Sequence, residues 1–89
     1  MTNSDRIAGS SGMKIIDDTS VHNGVWDYFI PREDTVLNVC TGVNDNGVAV
    51  DFKTLQNWDG TLKSTDYCIV PQGWKITEID LASGSIQIF

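Results

Sequence analysis

The chain has 89 residues and a formal net charge of −6, from six Lys and Arg against twelve Asp and Glu. The cations (Arg6, Lys14, Arg32, Lys53, Lys63, Lys75) stand singly and form no basic stripe to displace counterions from phosphates, which argues against a nucleic-acid partner. No apolar run approaches the ~20 residues of a membrane span, and residues 1–6 lack the basic-then-apolar order of a secretory signal, so no membrane partner and synthesis in a cytoplasm are expected.

Residues 1–12 are polar and end in Gly9-Ser10-Ser11-Gly12, a composition expected for an extended N-terminal arm rather than a folded segment. Residues 13–89 are expected to form a single β domain. Residues 13–16 are a short apolar run stopped by Asp17-Asp18. Residues 25–30 carry Val25, Trp26, Tyr28, Phe29 and Ile30 and predict one strand closed by Pro31. A turn at 31–34 leads into a strand over 35–41. The turn signal Asn44-Asp45-Asn46-Gly47 then feeds residues 48–52, where Val48, Val50 and Phe52 share one face of a predicted strand.

Residues 53–64 read as a loop with a short strand around 61–63; Leu55 and Trp58 suit one helical turn, which Asp59-Gly60 breaks. Residues 67–70 predict a strand closed by Pro71. The remaining residues predict a hairpin with Ser83-Gly84 as its loop, so that Leu81 faces Ile86 and Ile79 faces Ile88. Trp74 and Ile76 alternate together, whereas Ile79 and Leu81 fall one register later. Either that strand is buried on both faces or a β-bulge near Thr77-Glu78 resets it, and Glu78, a poor core residue, favours the bulge. Helical periodicity never lasts two turns. Roughly seven short strands at 8–12-residue spacing predict an all-β fold, a small antiparallel sandwich or barrel with an extended N-terminal arm.

Such a domain buries little. Roughly 25 cal/mol per Å² of apolar burial against about 1.5 kcal/mol of ordering entropy per residue comes out close to zero, so support from an oligomer or a larger assembly is expected.

Candidate chemistry is sparse. His22, with Ser20 and Asp17-Asp18 nearby, lacks the glycine-framed serine of a hydrolase and is read as a surface histidine. Asn44-Asp45-Asn46-Gly47 with Asp51 offers oxygen ligands but not the alternating spacing and terminal Glu of a calcium loop, and its residues have conformational reasons to occupy a turn. Cys40 and Cys68 each lie in an apolar run and are read as free buried thiols, with a bridge between them as the alternative. No zinc spacing, phosphate-binding glycine loop or carboxylate pair across a cleft is evident, so neither cofactor, metal nor catalysis is expected. Trp26 and Trp74 are read as core. Trp58, among polar neighbours, is the expected exposed aromatic and a candidate contact residue for a partner or a sugar.

The segments Glu33-Asp34-Thr35-Val36, Pro71-Gln72-Gly73-Trp74 and Ile79-Asp80-Leu81-Ala82-Ser83-Gly84-Ser85-Ile86-Gln87-Ile88-Phe89 resemble small head proteins of tailed bacteriophages. Such proteins share an acidic-Asp-Thr-Val strand start, a Pro/Ala-Gly turn and an ending built around Leu-x-Ser-Gly. The likeness spans about residues 24–89 and departs from the pattern at Glu78, Asp80 and the long segment 53–66. It implies a virion structural role, as a capsid decoration (cement) protein on the outer surface of the head. The partners it implies are the major capsid protein and further copies of the chain, as a homotrimer. Under that reading Arg6 and Ile7 of the arm, Trp58 and Phe89 are the expected partner contacts. A carbohydrate- or receptor-binding module of a tail fibre is the alternative, with Trp58 as its stacking surface.

Overall fold

A computed structural model of the chain describes residues 13–89, which fold into two antiparallel sheets packed face to face. In chain order the elements are β1 (Lys14–Ile16), β2 (Val21–Trp26), β3 (Tyr28–Pro31), β4 (Thr35–Val43), β5 (Ala49–Asp51), α1 (Phe52–Leu55), β6 (Thr61–Leu62), β7 (Cys68–Ile69), β8 (Lys75–Ser83) and β9 (Ile86–Ile88). One sheet has the order β1-β9-β3-β7, the other β2-β8-β4-β5 with β6 on β4. The all-β sandwich expected from the strand rhythm is therefore what forms, with nine strands among the described residues rather than about seven.

Two expected continuities are broken, both at a passage between sheets. Residues 25–30 are not one strand. β2 ends at Trp26, Asp27 turns the corner, and β3 joins the other sheet. Likewise the expected terminal hairpin does not form: β8 pairs with β2 and β4, whereas β9 pairs with β1 and β3. Ile79, Leu81, Ile86 and Ile88 are all nearly inaccessible, but they meet across the core from opposite sheets instead of along one. A hairpin and a sheet-to-sheet corner need the same Ser-Gly turn residues. The choice belongs to the partner strands that each side finds.

Register assigns the faces. In the four-stranded sheet Ile16 and Ile86 lie beside Pro31, and Ile88 beside Phe29 and Cys68, all turned inward. Opposite them the five-stranded sheet turns in Trp26 and Ile76 around Gly42, then Ile79 beside Cys40, then Leu37 beside Leu81. The bulge foreseen near Thr77-Glu78 is present. Glu78 pairs with Thr41 and Ile76 with Gly42, so Thr77 is the extra residue that restores Ile76 and Ile79 to the same buried face.

The expected strand over 48–52 stops early because Asp51 caps a helix. Its Oδ1 accepts the Lys53 N–H at 3.0 Å and its backbone is extended, which starts α1 at Phe52. Phe52 is thereby buried, Val50 packs against the core, and Val48 is exposed. One turn later Asn57 takes a left-handed φ of 60°, and Trp58 N–H reaches back to the Lys53 carbonyl at 2.9 Å. No helix among the described residues is long and apolar enough to cross a membrane.

Candidate functional site

The two outer faces of the sandwich differ in chemistry. On the five-stranded sheet, register lines up Asn23, Glu78, Thr41 and Asp51 in one row and Val21, Asp80 and Val39 in the next, which places three carboxylates on that side. Asp80 is buried there at 8 % exposure, its Oδ2 accepting from Asn38 Nδ2 at 3.1 Å, while Oδ1 has no hydrogen-bond partner among the described residues.

The outer face of the four-stranded sheet carries no charged side chain in its two rows. One row is Ile15, Gln87 and Ile30, and the other is Phe89, Tyr28 and Ile69. Ile15 and Ile69 are 46 % and 56 % exposed, and Met13 and Tyr67, at the margins, 56 % and 69 %. Side-chain alternation explains the composition: the inward neighbours of these residues fill the core, so any residue is allowed outside, and yet five of the six positions are apolar or aromatic. An antiparallel sheet with a solvated outer face ordinarily places polar residues there. This face is the candidate functional surface.

Phe89, an expected partner contact, is part of it. Its ring stacks on Tyr28 with centroids 4.7 Å apart and planes 14° apart, and its backbone exchanges hydrogen bonds with Tyr28 at 2.9 and 3.3 Å. Asp27 N–H also donates to the Phe89 carbonyl at 2.6 Å. The chain's last ring is thus packed against its own fold with one side left toward solvent.

Trp58 corrects the expectation of an exposed aromatic. It is 8 % exposed, edge-on to Phe29 at 5.2 Å and tilted against Phe52 at 6.1 Å, in the core between the sheets. Capping by Asp51 and the left-handed Asn57 fold the polar-looking loop back on itself, so polar neighbours stay outside while the indole turns in. Neither a stacked sugar nor a partner reaches it. Arg6 and Ile7, with the arm over residues 1–12, lie outside the described residues.

A concavity of about 300 Å³ lies where the five-stranded sheet is interrupted. β5 pairs with β4 at residues 41–43 and β6 at residues 35–36, leaving the stretch between them open on that side. Asn38, Thr41, Asp51, Lys53, Thr54 and Asp59 line it. Lys53 Nζ already donates to the Asn38 carbonyl at 3.1 Å, and Asp51 is occupied by the helix cap, so the polar groups there largely serve the fold.

The remaining candidates have structural roles. His22 Nε2 lies 2.8 Å from Asp18 Oδ1, and Ser20 donates its backbone N–H to the same oxygen at 3.1 Å. Those bonds hold the Asp18 carboxyl below its ordinary pKa, the His22 contact contributing most. Asn44 Oδ1 accepts from the N–H groups of Asn46 and Val48, and Gly47 sits at φ 79°, so the Asn44–Gly47 segment is organised as a tight turn. Among the described residues no group of three or more His, Cys, Asp or Glu is placed to hold a metal ion. Cys40 and Cys68 are free and buried, and burial pushes both thiols up to about 12.

Comparison with protein-family models, curated proteins and solved structures gives no match for this chain.

Proposed function

We propose that this protein is a structural assembly component, specifically a virion protein of the decoration type that binds the outer surface of a phage head as a homo-oligomer. The observation that carries this reading is the largely apolar and aromatic outer face of the four-stranded sheet, with no charged side chain in its two rows, on a chain of net charge −6. A contiguous exposed apolar surface of this kind marks a contact with another macromolecule, and assembly supplies the burial that so short a chain lacks. The head-protein resemblance of residues 33–36, 71–74 and 79–89 supplies the specific partner, the major capsid protein. An acidic chain suits the exterior of a shell, where no genome phosphates need neutralising. Trp58, at 8 % exposure, is too buried to serve as the stacking residue of a carbohydrate-binding module.

The test is binding to particles. Purified protein is mixed with phage heads that lack it, and bound protein is measured after sedimentation. Saturable binding, lost on deletion of residues 1–12 from a chain that still folds, is the expected result. Folded protein that stays in the supernatant at every ratio overturns the assignment.

A further inference from the structure

We propose that the outer face of the four-stranded sheet is covered by the same face of a second copy of this chain, packed sheet on sheet about a two-fold axis. The inference rests on the assembly reading above and names the partner of its candidate surface.

Charge selects the occupant. Two copies each carrying −6 repel, and contact through the five-stranded sheet would set the accessible carboxylates of Glu78 and Asp51 against those of a neighbour. Contact through Ile15, Ile30, Tyr28, Ile69 and Phe89 sets no like charges opposite each other. An acidic protein therefore has one of its two sheet faces on which it can meet itself.

The pattern is also self-complementary. Gln87 lies on β9, an inner strand, between Ile15 and Ile30, so it is the polar centre of an apolar row. A two-fold axis near Gln87 brings two side-chain amides together, and each has both a donor and an acceptor to offer the other. Sheets packed this way lie about 10 Å apart, a spacing that Ile, Tyr and Phe side chains fill. Four strands alone make a face narrower than a standard interface, which buries about 800 Å² per partner. Met13 and Tyr67, both exposed at its margins, widen it.

The test is the mass of the full chain in solution, by sedimentation equilibrium, for wild type and for Ile15→Glu and Ile69→Glu. Both positions are exposed, so the variants keep the fold, which far-ultraviolet circular dichroism verifies. Wild type should have twice the 9.8 kDa chain mass, and each variant should dissociate at least tenfold more readily. Gln87→Glu should dissociate near neutral pH and re-associate once the new carboxyl is protonated. A wild-type monomer, or any oligomer that both Glu variants leave unchanged, overturns the proposal. A monomer that still coats phage heads overturns the pairing, and with it self-association, and spares only the binding to heads. A dimer that ignores the heads does the reverse.

Discussion

Gly84 lies directly against Thr35: a Cβ built on Gly84 would sit 2.4 Å from Thr35 Oγ1 and 2.6 Å from its Cα. Gly84 also has a φ of 96°, a left-handed conformation that side chains rarely adopt. Around this contact the fully buried Thr35 hydroxyl accepts the Ser85 N–H at 3.2 Å. It donates to the Glu33 carbonyl at 2.9 Å, with the Ser85 carbonyl at 3.2 Å as the alternative acceptor. The corner where the chain leaves one sheet for the other is thus built from a glycine that can approach and a threonine that satisfies the exposed backbone.

Gly84→Ala should therefore destabilise the fold by about 3 kcal/mol, combining left-handed strain with overpacking against Thr35. Urea unfolding of the two proteins measures it. Equal midpoints would show that the corner tolerates a side chain.

Trp58→Ala should cost about 3–5 kcal/mol, the range for deleting a large buried aromatic, because the indole fills the space beside Phe29 and Phe52. Thermal unfolding reads the loss. A Trp58→Ala protein as stable as wild type would place the ring outside the core.

Cys40 and Cys68 should resist a thiol reagent at pH 8 in the native state and react fully in denaturant, since burial holds both thiols protonated with values near 12. The sign for stability follows. Their folded values lie above the ordinary thiol value, so their contribution is complete below that value and is lost as pH rises toward 12. Unfolding midpoints followed from pH 8 upward should fall in that window, and Cys68→Ala should fall less.

Asp18 should titrate below an ordinary aspartate, and His22→Gln should raise its midpoint, because the His22 ring supplies the largest part of the shift. The depressed value means that the contact contributes above the unfolded value and is lost as pH falls through the folded one. Carboxyl chemical shifts measure the titration directly. An identical midpoint in both proteins would show that the 2.8 Å contact is not held in solution.

The two corners explain what was legible in the chain and what was not. Alternation, turn residues and proline stops were enough to place strands near 13–16, 35–41, 61–63 and 67–70, and to favour a bulge near Thr77-Glu78, because these follow from local propensity and from the period of the pleat. Sheet membership is a different kind of fact. Asp27 interrupts what reads as one strand since its N–H bonds to Phe89, its carbonyl accepts from Val70 N–H at 3.2 Å, and its carboxylate meets Lys75 Nζ at 2.5 Å. Those partners lie more than forty positions away in sequence.

The same division holds for the candidate surface. Residues such as Ile15, Ile30 and Ile69 were recognisable as strand residues but not as outward-facing, because a strand's two sides are equivalent until a partner sheet covers one. Trp58 shows the converse, a polar-looking loop whose aromatic is buried once Asp51 caps a helical turn. By itself the sequence determined an all-β chain, acidic, with turns at its glycines and asparagines, since backbone preference and charge are properties of single residues and their neighbours. Only the tertiary structure decided that β8 and β9 part at Gly84, that Trp58 turns in, and that one uncharged face turns out. Each of those depends on which distant strand competes most favourably for the same backbone hydrogen bonds and the same core.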